Sequence, residues 1–99
     1  LATPTLTNRL CGPLQTGTAK VSCWWGRRAV INLHRWIRGA TSYGPDMAGY
    51  RTYLLNHEVG HGLGHRHVAC GGAGKPAPVM LQQTLRLDGC TAWPWPTRP

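Results

Sequence analysis

Five residues in the run 57–67 have types and spacing suited to chemistry: His57, Glu58, His61, Gly64 and His67. His57 and His61 are four apart, so on a helix both imidazoles leave the same face and can share one metal ion. Glu58 follows the first ligand and lies beside that face, within reach of a water on the metal. Gly64 suits a position where the helix stops abruptly, because glycine enters the left-handed region at little cost. The reversed chain can then return His67 as a third nitrogen ligand. Three protein ligands leave the fourth zinc position to water, which separates a catalytic site from a closed structural one. Zinc there would lower the pKa of its water toward 7, and Glu58 would take the proton as general base. Ordinary residue usage produces this pattern by chance about once in ten million starting points. A His-rich surface helix and a metal site without turnover are the competing readings. His65 has no assigned task and is read as solvated, or as supporting a ligand from behind. Imidazole ligands favour Zn2+, with nickel, copper or cobalt also able to bind.

A helix over residues 47–64 must carry the first two ligands. Met47, Tyr50, Leu54, Val59 and Leu63 recur on its period, and Tyr50 and Tyr53 read as core rather than catalytic. Asp46, or Ser42 slightly earlier, can cap its start and complement the helix dipole. Gly60 and Gly62 would each cost roughly 1 kcal/mol against alanine. Either a neighbour packs very close there or metal ligation holds the turn. Upstream, residues 19–25 and 29–33 alternate as strands around Gly26-Arg27, which predicts a hairpin. Residues 34–37 read as a short helical turn, and residues 1–17, rich in Thr, Pro and Gly, as irregular chain tied down by Cys11. Downstream, residues 71–78 are loop material and residues 81–85 read as a short helix. Trp93-Pro94-Trp95-Pro96 cannot be regular structure; its indoles either pack back on the body or form a recognition patch.

Ninety-nine residues allow one domain with one modest core, divided here into residues 1–64 with the helix and 65–99 with the third ligand. The four cysteines permit three pairings, and sequential pairing, Cys11–Cys23 with Cys70–Cys90, is the expected one. Each bridge would contribute roughly 3 kcal/mol in the chain-entropy model. A cysteine-zinc site is disfavoured because there is no Cys-x-x-Cys pair. Disulfides imply an oxidising compartment, hence a secreted, extracellular protein. No apolar run is long enough to span a bilayer, and a start at Leu1 without a signal segment reads as a mature fragment of a precursor. The net charge of +8, with Asp46, Glu58 and Asp88 as the three acids, favours anionic surfaces or acidic peptides. The arginines are dispersed and match no nucleic-acid motif, so a nucleic-acid partner is not expected.

Beyond the ligand run, the chain carries Tyr53-Leu54-Leu55-Asn56 before His57. After it come Cys70, Gly74-Lys75-Pro76-Ala77-Pro78-Val79-Met80-Leu81-Gln82-Gln83-Thr84, Gly89-Cys90 and the Trp-Pro tail. In these features the chain resembles the metzincins, and in particular an actinobacterial family of secreted zinc metallopeptidases known as a domain of unknown function. The likeness spans residues 10–96. It implies that Met80 is the methionine of the Met-turn beneath the zinc, although a Met filling a core gap gives the same packing. It also implies that residues 19–25 are an edge strand on which an extended peptide substrate adds; a plain hairpin arm reads equally well. Where some metzincins have a metal-binding tyrosine two residues after that methionine, this chain has Gln82. Metzincins also place a strand–helix–strand unit before the hairpin, so a partner or a second copy could complete the sheet.

The fold expected is α+β: a reduced metzincin-like zincin with a small antiparallel hairpin, one long zinc helix and a loop-rich, disulfide-stapled C-terminal part. The function expected is a zinc metalloendopeptidase acting on peptide or protein substrates. The alternative is a non-catalytic, zinc-stabilised secreted module that binds cell wall or protein.

Overall fold

A computed structural model describes residues 1–11 and 22–97. The chain opens with α1, Pro4–Cys11, where irregular structure was expected for residues 1–17. Thr3 Oγ1 accepts the Leu6 N–H at 3.2 Å, and Pro4 occupies the first helical position, where its missing donor does no harm. The Thr-Pro pair is thus a helix start and not a turn. The rest of that stretch, residues 12–17, lies outside the described residues.

The hairpin joins β1, Cys23–Trp25, to β2, Arg28–Val30, antiparallel, with Trp25 opposite Arg28 across the Gly26-Arg27 turn. Residues 19–21 of the expected first arm lie outside the described residues. The second arm is shorter than expected and ends at Val30, because Asn32 turns the chain into the next helix. Its side chain accepts the His34 N–H at 3.0 Å and caps α2, Leu33–Arg38. Ala2 lies beside this turn, donating to Ile31 O at 2.8 Å and accepting from Leu33 N at 2.6 Å.

Side chains alternate across the hairpin. Cys23 and Val30 face α1, where they pack with Ala2, Cys11 and Leu10, closed by the Cys11–Cys23 disulfide. Trp24 and Ala29 face the long helix α3, Met47–Gly62. Asp46 caps α3 by accepting the Gly49 N–H at 2.9 Å. Ser42, the other candidate, instead donates to Gln83 O. Tyr50, Tyr53 and Leu54 on α3 form the core with Tyr43, Ile31 and Ala40. Arg51 stacks over Trp36 at 4.7 Å and donates to its carbonyl, tying α2 to α3. Val59 and Leu63 leave the apolar stripe and are 47% and 74% exposed. The inner face of the last two turns belongs to His57, Glu58 and Gly60 instead.

Past α3, the described chain has turns and isolated bridges but no further helix or strand. The Cys70–Cys90 disulfide closes this part. The short helix expected at residues 81–85 is a turn. Gln83 O accepts from Ser42 Oγ, and the Gln83 N–H bonds to the Tyr53 hydroxyl at 2.9 Å, so the local ladder is diverted. Gln83 is wholly buried, and its carboxamide holds Pro78 O, Trp93 O, the Tyr43 hydroxyl and Trp93 N. Trp93 packs with Ala77, Leu81 and Cys90, as one of the two readings expects, while Trp95 is 53% exposed. No helix among the described residues is long and apolar enough to cross a membrane.

Candidate metal centre

His57 and His61 stand one turn apart on α3, their rings edge-on with centroids 4.8 Å apart. After Gly62 the chain reverses through Leu63 and Gly64. Gly64 has φ +95°, its N–H bonds to His61 O at 3.0 Å, and the His65 N–H bonds to Gly60 O at 2.9 Å. This is a Schellman stop with glycine in the left-handed position, as the spacing predicts. It returns His67 to the same place: its ring centroid is 4.7 Å from that of His61 and 5.2 Å from that of His57. One nitrogen from each of the three lies within 4.8 Å of the others, the one such group among the described residues.

The ring orientations are set from behind. His57 Nδ1 bonds to Val79 O at 2.7 Å and His61 Nδ1 to His65 O at 2.9 Å. A carbonyl only accepts, so each Nδ1 carries the proton and each Nε2 presents a lone pair inward. His61 Nε2 and His67 Nε2 are 3.1 Å apart. Two nitrogens on one tetrahedral zinc at normal bond lengths stand about 3.3 Å apart. The donor set therefore fits a divalent metal ion, and uncharged rings are what such an ion needs. Burial supports this for His57, whose pKa is pushed down to about 4, and lowers that of His67 as well. His65 acts through its carbonyl, while its side chain is exposed.

Glu58 is 3% exposed and its Oε1 has no hydrogen-bond partner among the described residues. Native proteins rarely leave such an atom unpaired, so an orphaned carboxyl oxygen beside three imidazoles marks a place built for a ligand. Desolvation raises its pKa to about 8. Glu58 and the three histidines line one cavity of about 240 Å³, with Trp24 and Leu54 in its wall.

Met80 lies beneath the helix. A Cβ on Gly60 would come within 2.5 Å of its sulfur, and one on Gly62 within 2.6 Å of the Trp24 ring. The two glycines thus exist for close approach, from below and from the hairpin. Met80 follows Val79, whose carbonyl orients His57, in a tight turn closed by Leu81 N to Pro78 O at 3.0 Å. Met80 O also accepts the Val68 N–H at 3.1 Å, next to His67. One turn therefore packs under the helix, orients one ligand and anchors the loop of another.

The supporting carbonyls of Val79 and His65 and the hub at Gln83 carried no signal in the sequence, because backbone acceptors and a lone glutamine have no spacing rule. Tyr53 is partly different: it precedes His57 by four, which places it on the ligand face, 3.3 Å from Nδ1. No curated protein and no solved structure matches this chain. A family model described as "Protein of unknown function (DUF3152)" matches residues 1–95, and the chain therefore belongs to that family.

Proposed function

We propose that this chain is a secreted zinc endopeptidase of metzincin type, with His57, His61 and His67 as metal ligands and Glu58 as general base. The observation that carries the reading is the convergence of three inward-facing imidazoles and one unpartnered buried carboxyl on a single cavity. A zinc ion held there would polarise a peptide carbonyl and make water more acidic. The chain's own residues supply the rest. Glu58 accepts a proton from the attacking water as its oxygen bonds to the carbonyl carbon. It returns that proton to the amine nitrogen as the C–N bond breaks, leaving an amine and a carboxylic acid, which then gives its proton to the amine or to solvent. Burial raises the Glu58 pKa to about 8 in the metal-free chain, and a dication in the cavity would favour the carboxylate, the form that accepts the proton. Ser22, Cys23 and Trp24 border the cavity, so an extended peptide laid along β1 would pass the metal. The two disulfides fit an oxidising, extracellular setting.

The test pairs elemental analysis of the purified protein with cleavage of casein or a peptide library, with and without a chelator. The parent should bind one zinc and cleave in a chelator-sensitive way; Glu58→Ala should keep the zinc and lose at least about 100-fold in turnover. Equal cleavage by both would remove the mechanism. Stable zinc binding with no cleavage of any substrate would favour the second reading, a binding module, which the exposed Leu63 and Trp95 support.

A further inference from the structure

Peptide hydrolysis at this site has one requirement without a residue: a donor, besides the metal, for the carbonyl oxygen as it gains charge. We propose that the Gln82 carboxamide is that donor and a catalytic residue, an inference that rests on the peptidase reading. Gln82 lines the cavity that holds Glu58 and the three histidines, and it is half-buried there. Each hydroxyl of the same wall is tied to the fold by at least one hydrogen bond. Ser22 Oγ accepts the Asn32 N–H at 2.8 Å, and Thr84 Oγ1 pairs with the Tyr50 hydroxyl at 3.0 Å. The Tyr53 hydroxyl donates to Leu81 O at 3.0 Å and accepts from Gln83 N. Trp24 lays its six-membered ring on Gly62. The Gln82 side chain makes no hydrogen bond to another described residue.

The neighbouring glutamine sharpens the contrast. Gln83 is wholly buried and uses its carboxamide in four bonds. Gln82 has the same chemistry one residue earlier and spends none of it on the fold. Its backbone is nevertheless held, between buried Leu81 and Gln83, with its carbonyl accepting Leu85 N at 3.1 Å and Arg86 N at 3.2 Å. The backbone is thus fixed at the cavity wall while the amide has no hydrogen-bond partner among the described residues. An amide N–H does not ionise near neutrality, so it cannot intercept the proton that Glu58 carries. No covalent bond to Gln82 forms or breaks; its N–H···O bond strengthens as the carbonyl carbon becomes tetrahedral, and the proton stays on nitrogen. An interaction made mainly in the transition state raises kcat and leaves KM nearly unchanged.

The experiment compares the zinc-loaded parent with Gln82→Leu and Gln82→Asn. It reads zinc affinity by chelator competition, kcat and KM on a quenched peptide, and binding of a phosphinic peptide whose charged oxygens mimic the tetrahedral state. Gln82→Leu should keep its zinc affinity and KM while kcat and phosphinic affinity each fall about 100-fold, as for loss of one oxyanion donor, with partial recovery in Gln82→Asn. The proposal is overturned if both quantities stay within about 3-fold of the parent, or if they fall only in step with zinc affinity. If Gln82→Leu does not fold, Gln82→Glu, equal in shape but repelling an oxyanion, must lower kcat and phosphinic affinity at least as far. A parent that neither cleaves any peptide in a chelator-sensitive way nor prefers the phosphinic peptide to its uncharged amide counterpart overturns the peptidase reading, and this inference with it.

Discussion

Glu58 and His57 pull the stability of the metal-free protein in opposite directions as pH changes. The Glu58 carboxyl rises from 4.5 to about 8 on burial, so the folded chain holds an extra proton in that interval. Its stabilising effect is complete below 4.5 and is lost as pH rises through about 8. His57 falls from 6.5 to about 4, so its effect is complete above 6.5 and is lost as pH falls toward 4. Between 4.5 and 6.5 the two slopes oppose each other; from 6.5 to 8 only Glu58 acts. Chelated protein should therefore lose about 2 kcal/mol between pH 6.5 and 8, at 1.36 kcal/mol per unit, measured from urea-unfolding curves. Glu58→Gln should be flat over that range. A bound dication favours the carboxylate and should flatten the parent's curve too. A parent curve already flat without metal would contradict the burial of this carboxyl.

Helix α3 is constrained at its last turns more by its neighbours than by helix propensity. Alanine in place of glycine stabilises a helix interior by about 1 kcal/mol. At Gly62 the added methyl meets the rigid Trp24 ring, and overpacking of that kind costs typically 1–3 kcal/mol. Sterics should win there: Gly62→Ala lowers stability despite better propensity, and Trp24→Leu in the same chain restores part of the loss. At Gly60 the obstructing atom belongs to Met80, a flexible side chain that can yield, so Gly60→Ala should be the milder change. Thermal melts of the single and double variants decide the order, and a Gly62→Ala variant more stable than the parent would refute the close packing.

On the scale of the whole molecule, the candidate metal centre joins two halves that are stapled separately. Cys11–Cys23 closes α1 onto the hairpin, while Cys70–Cys90 closes the segment carrying the Met80 turn and begins three residues beyond His67. His67 sits on exposed chain anchored by the Val68–Met80 bond and by that second disulfide. The Cys70→Ser, Cys90→Ser pair should weaken the proposed zinc binding at least about tenfold, because His67 must then be ordered at the moment of binding. Removing the first disulfide should lower the melting temperature with a smaller effect on the metal. Competition titration against a zinc-binding dye separates the two, and equal losses from both bridges would argue against this division. The charge also belongs to this scale. Of the three acids in a chain of net charge +8, Glu58 is buried, Asp46 caps α3 and Asp88 pairs with Arg86 at 3.2 Å.

What could be read from the chain was local in sequence. Ligands at helical spacing, a glycine that stops the helix and returns His67, the Asp46 cap and two short cysteine loops all depend on residues within about twenty of each other. Backbone geometry converts such spacings into positions without reference to the rest of the fold. The α1 start was equally local, in Thr3-Pro4, but turn and helix chemistry share those residue types. The remainder was decided by contacts between distant segments: which carbonyl orients His57, why Gly60 and Gly62 are glycines, and why Gln83 is structural while Gln82 lines the cavity. Those outcomes depend on where a loop crosses a helix some twenty to forty residues away, and no periodicity in the chain encodes that crossing.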